Sequence, residues 1–121
     1  MTSKDFIKNL WRWKCGLPET NTPKPVKIAD LQKSEWNHYF EKLMRNRLIL
    51  GALRYGRLLA PGKPKYDRVG AMINRLNQYR QTGNKEHLVD VANLSLLEFT
   101  ECHHPRQHFS PIDDGPHVNT I

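Results

Sequence analysis

His87, Asp90 and Asn93 recur every third residue, which on a helix places an imidazole, a carboxylate and an amide on neighbouring turns of one face, with Glu86 beside them. Burying such groups unpaired costs several kcal/mol, so the row must face solvent, pair with basic groups, or hold a ligand or divalent cation. A solvated or internally hydrogen-bonded face accounts for the same residues without any chemistry. Upstream lie Glu41, Arg45, Arg47, Arg54, Tyr55 and Arg57, followed by Lys63 and Lys65 in a glycine-containing loop. This collection suits phosphate: arginine forks onto phosphate oxygens, lysine neutralises them from a mobile loop, and tyrosine stacks on a base. The glycine-rich fingerprint of a P-loop or dinucleotide site is absent. In the tail, Cys102, His103, His104 and His108, then Asp113, Asp114 and His117, are metal-ligand types whose spacing fits no zinc template. Cys15 and Cys102 are too few and too far apart for a disulfide framework and read as reduced thiols.

The elements that must position these groups read as helices. Thr2 and Asp5 have capping-box spacing ahead of Phe6, Ile7, Leu10, Trp11 and Trp13, predicting a short basic helix over Ser3 to Lys14. Pro18, Pro23 and Pro25 make Leu17 to Lys33 an extended tether, so the first helix reads as an arm. Ser34 is a candidate N-cap for a second helix to about Leu59, with Trp36, Tyr39, Phe40, Leu43, Met44 and Arg47 at stripe spacing and a second half that is apolar nearly all round. Asp67 caps a third helix to Gln81, ended by Thr82-Gly83-Asn84. A fourth, expected to be the most buried, spans about 85–101. Prolines and glycine make the tail from Cys102 onward irregular. The expected architecture is all-α: a small bundle of three main helices over 34–101, with an N-terminal arm and linker over 1–33 and an irregular tail over 102–121. Its expected core is Phe40, Leu43, Met44, Met72, Ile73, Leu76, Val91 and Phe99.

The chain has 121 residues, enough for one domain, and no apolar run approaching the roughly 18 residues that cross a bilayer. With no secretory leader evident, the expected location is the cytoplasm. The net charge of +7 is uneven. Residues 1–65 carry fourteen basic and five acidic side chains, a net +9, and the remainder a net −2, so an anion-facing surface belongs to the first half.

Three segments carry a family resemblance: Leu50-Gly51-Ala52-Leu53-Arg54-Tyr55-Gly56, Val69 through Tyr79, and His87-Leu88-Val89-Asp90-Val91-Ala92-Asn93. In order and approximate spacing they resemble small phage-encoded proteins described as dATP/dGTP diphosphohydrolases, which are related in outline to the all-α MazG-like nucleotide pyrophosphohydrolases. The chain is also similar to a phage and prophage family with the same asparagine-bearing last helix and Asp-Asp-Gly tail. The resemblance covers about residues 36–100. It implies a bundle that binds a nucleoside triphosphate and, with magnesium or manganese on carboxylates, directs water onto the α-phosphate to release pyrophosphate. MazG-like enzymes carry an acidic pair on each of two helices. Here His87 and Asp90 stand in the position of the second pair, and Glu41 lacks a second carboxylate one turn away, which implies weaker magnesium binding.

Three functions follow. The first is a nucleotide pyrophosphohydrolase in a host cytoplasm, with Asp90, His87 and Glu41 as metal or water-positioning groups and Arg47, Arg54, Tyr55, Lys63, Lys65 and Asn93 on the nucleotide. The second is a non-enzymatic phage anti-defence protein that sequesters a nucleotide signal or blocks a host defence protein or nucleic-acid complex. The third is a direct nucleic-acid binder in which Trp11, Trp13 and Trp36 stack while the basic first half tracks phosphates. In any of them the apolar arm is expected to pack on a partner chain, a second copy of this chain included, or on a distant part of the bundle.

Overall fold

The computed structural model describes residues 25–112. The expected helix over Ser3 to Lys14, the self-association assigned to it, and the Asp113-Asp114 segment lie outside the described residues. The chain divides into two units, Met1–Trp36 and Asn37–Ile121.

In the first unit, α1 spans Ile28–Ser34, where an extended tether was expected. Proline stops at Pro25, and the following residues carry Asp30 in the first turn and Lys33 in the last, both favourable to the helix dipole. Seven residues make only two turns, and every one of them is exposed.

The second unit is all-helical among the described residues, as composition and periodicity predict. α2 spans His38–Tyr55 and is shorter than expected at both ends. Its cap is Asn37, whose side-chain oxygen accepts from the Phe40 amide at 2.8 Å, whereas the Ser34 hydroxyl bonds Glu35. It ends at Gly56 (φ 95°), a left-handed-side conformation that only glycine adopts without strain. α3, Arg68–Thr82, is capped by Asp67, which accepts from the Gly70 amide at 3.0 Å, and closes on Gly83 at φ 71°. A side chain at position 70 would collide with that cap carboxylate. α4 spans Glu86–Thr100, and the Asn84 side chain accepts from the Glu86 amide.

α4 is the hub. α3 packs antiparallel along it through Arg68 to Leu97, Met72 to Ser95 and Arg75 to Asp90, and α2 packs on it where Met44 meets Asn93. α2 and α3 make little contact with each other, so only α4 is covered from two sides. Its Val89 and Asn93 are accordingly buried. The expected core is corrected here. Phe40, Leu43, Met44, Met72 and Val91 are half-buried, but Ile73, Leu76 and Phe99 are exposed, the last at 76%. The apolar second half of α2 likewise leaves Ile49, Leu50 and Leu53 in solvent. Periodicity identifies an apolar face; a second layer of helix is needed to cover it, and three helices cover only the central one.

The segment between α2 and α3 is tied down rather than mobile. Glu101, just past α4, accepts from the Lys63 ammonium at 2.8 Å, the Leu59 amide at 2.7 Å and the Arg68 guanidinium at 2.6 Å. Lys63 also donates to the Gly56 and Arg57 carbonyls. The knot holds Leu59 at φ 62°, a strained conformation for a leucine.

Candidate functional site

Because α2 and α3 both lean on α4 without closing on each other, a cleft of about 560 Å³ opens between them, floored by α4. Arg47, Arg54 and Tyr55 of α2 form one wall, Arg75 of α3 belongs to the other, and Asp90, Asn93, Leu94 and Leu97 form the floor. The Arg47 guanidinium reaches Glu86 at 2.8 Å and Asp90 at 3.2 Å through the same nitrogen. Arg75 approaches the other Asp90 oxygen at 3.7 Å, an ion pair beyond hydrogen-bond length. The polar row on α4 is therefore internally paired in part: α2 and α3 each send an arginine to Asp90.

The pairing is incomplete. Asn93 is 6% exposed and donates from its amide nitrogen to the Met44 carbonyl at 3.1 Å, which leaves its buried oxygen without a donor. The Asp90 oxygen that faces Arg75 and His87 Nδ1 are also buried without a hydrogen bond. Most buried polar atoms in native proteins are satisfied, so three on one helix face call for an explanation.

No protein-family model, curated protein or solved structure matches the chain. Its chemistry is read from the cleft itself.

The fold brings together Arg47, Arg54, Tyr55, Lys63, Asp90 and Asn93 of the sequence-derived candidates in the lining and leaves His87, Glu41 and Lys65 outside it. His87 stands on α4 outside the cleft lining. Glu41 belongs to another cluster: it takes Arg45 at 3.0 Å and lies 3.9 Å from His38, on the outside of α2. Asp90 and Glu41 thus do not line one site, and among the described residues no three of His, Cys, Asp and Glu converge on a point that would hold a cation. Arg47 occupies the position between Asp90 and Glu86 where a bridging cation would sit, so the residues present do not fit the two-carboxylate magnesium or manganese site that the family resemblance implies. Lys63, expected on a mobile phosphate-binding loop, is committed to Glu101 and 15% exposed. Lys65 is exposed and outside the lining. In the tail, the His104 ring accepts from the Arg106 amide, the His108 ring meets the Arg106 carbonyl, and the Cys102 thiol faces Glu98, so these groups serve local turns.

Two contributors escaped sequence reasoning. Arg75 is visible in retrospect because Arg68 and Arg75, seven apart, share a face of a helix that contains no acid. Glu101 had no such signal; its role depends on a loop returning to the end of α4. The Lys63 hydrogen bond, then the Leu59 amide, with Arg68 adding to them, outweigh the burial that opposes ionisation and lower the Glu101 carboxyl to about 2. On the same side Tyr66 takes the Tyr55 ring edge-on at a centroid distance of 6.0 Å and the Arg68 guanidinium over its face at 5.5 Å, which stiffens the Tyr55 wall.

Proposed function

We propose that this chain binds a nucleotide in the cleft between α2 and α3. The observation that carries the reading is the convergence of Arg47, Arg54 and Arg75 from two helices on one cleft that also presents Tyr55, Tyr66 and several leucines. Arg54 makes no ion pair with another described residue, and Arg47 and Arg75 use only part of a five-donor guanidinium on their carboxylates, so all three retain donors for phosphate oxygens. Apolar wall, convergent charge and a volume inside the roughly 300–1,000 Å³ range of small-molecule sites suit a ligand with an anionic end and a flat aromatic end.

The reading is of a binder. Hydrolysis by the row would call for carboxylates free to hold magnesium or manganese, and Arg47 already neutralises Asp90 and Glu86. The test is calorimetric titration of the purified chain with each nucleoside triphosphate, with and without magnesium or manganese, alongside a pyrophosphate assay. Saturable, salt-sensitive binding without turnover is expected. Pyrophosphate release would make the chain a hydrolase, and failure of every nucleotide to bind would leave a defence protein or nucleic acid as the partner of the arginine cluster.

A further inference from the structure

The α3–α4 pair carries an apolar face that the other described helices leave open. On α3, Val69, Ile73 and Leu76 are exposed; on α4, Leu88 and Ala92 are half-buried, and Ser95 and Phe99 are exposed. None of these residues lines the cleft. At about 100° per residue, the α4 row points nearly opposite to Asp90, Asn93 and Leu97 on the cleft floor. Both rows step by four and three residues in alternation, the spacing of a seam that packs against another helix, and neither contains a charge. The Ser95 hydroxyl lies 3.2 Å from Met72 Sδ, where the two helices meet, so the rows run side by side on one surface.

The α4 row matches its own reverse. Leu88 and Phe99 are equally far from the point between Asn93 and Leu94, and so are Ala92 and Ser95. Against an antiparallel copy of itself, α4 therefore sets Phe99 on Leu88 at each end and Ala92 on Ser95 at the centre, where small side chains allow the closest approach. The α3 row behaves likewise about the point between Asn74 and Arg75, which sets Ile73 on Leu76. Met72 stands opposite Ser95 and Arg75 opposite Asp90, so the two centres lie within about one helical turn of the same level, and one twofold axis serves both. We propose that this face binds a second copy of the chain, two α3–α4 hairpins stacking antiparallel about a twofold axis as a four-helix bundle.

Two 15-residue helices are about 22 Å long and, packed together, about 20 Å wide, so two copies bury on the order of 1,000 Å² between them. This is the lower bound of a specific interface, and it makes the association concentration-dependent. In the dilute chain the face lies in solvent, so truncating its side chains costs little folding stability there. The cleft opens on the other side of α4 and stays accessible in the pair.

The test is sedimentation velocity of the full-length chain over a wide concentration range, with circular dichroism on each variant. The wild-type chain should pass from monomer to dimer and no further. Phe99→Glu and Leu88→Lys should each raise the dissociation constant by roughly tenfold or more with helical content kept, whereas Leu53→Glu, at an exposed leucine of α2, should leave it unchanged. Mixing the F99E and L88K chains should restore association, because an antiparallel pair then holds one carboxylate–ammonium contact at one end and the native Phe99–Leu88 contact at the other. Ser95→Arg, exposed at the centre of the row, should separate the pair by itself and decides the question should L88K not fold. A chain that is monomeric at every concentration, as when its own N-terminal segment covers the face, overturns the proposal. So does a dimer that survives Phe99→Glu and Ser95→Arg or separates only with Leu53→Glu. A mixture of two folded variants that stays monomeric overturns the antiparallel register.

Discussion

At the scale of single residues, the contrast between Arg54 and Glu101 separates binding from stability. Arg54 lines the cleft without an ion pair to another described residue, so Arg54→Ala is expected to weaken nucleotide binding by about 1.5–3 kcal/mol, the worth of a charge-assisted hydrogen bond. The thermal melt of the free protein should hardly move, a pair of outcomes that calorimetry and circular dichroism check together. Glu101 is the opposite case. Its carboxyl is lowered from 4.5 to about 2 in the folded chain, so its contribution is fully present above pH 4.5 and is lost as pH falls toward 2. Acid titration of the wild-type chain should show a stability loss between pH 4.5 and 2 that Glu101→Gln removes. The variant should also be less stable at neutral pH, because Arg68 and Lys63 are left without their carboxylate.

At the scale of elements, the starts of α2 and α3 each rest on a side-chain cap. Asn37, not Ser34, starts α2, so Asn37→Ala should cost about 1 kcal/mol in urea denaturation and Ser34→Ala close to nothing. The hub position of α4 makes a second comparison. Val89 is buried, and Val89→Ala is expected to destabilise by about 1–2 kcal/mol, whereas Leu76 is 46% exposed on α3 and Leu76→Ala should cost under about 1 kcal/mol. Equal losses at the two positions would mean that α3 is covered on its outer side in solution.

At the scale of the whole molecule, the second unit is a three-helix assembly in which two helices share one partner and flank an open cleft. A ligand held by Arg47 and Arg54 on one wall and Arg75 on the other bridges elements that otherwise make little contact. Nucleotide at a hundred times its dissociation constant is therefore expected to stabilise the fold by about 2.7 kcal/mol, read as a rise in melting temperature that tracks ligand concentration. Among the described residues no helix is long and apolar enough to cross a membrane, so the exposed leucines and isoleucines of α2 and α3 are not a membrane span.

The all-α class, the three helices of the second unit and the Gly83 stop of α3 were legible in the sequence because they are local: period, cap and φ > 0 are properties of a few adjacent residues. Asp67 and Gly83 bound α3 much as the sequence reading placed them, and the polar row on α4 was visible from its spacing alone. The tether that folds as α1 was misread because three prolines upstream outweighed the proline-free residues after Pro25. What tertiary structure alone decided is which partner each polar group meets. Glu41 went to Arg45, Lys63 to Glu101, and Asp90 to arginines from two different helices, pairings set by how elements far apart in sequence dock. The exposure of Ile73 and Phe99 belongs to the same level, since an apolar stripe records which face can be buried, and burial follows only where another helix lies against it.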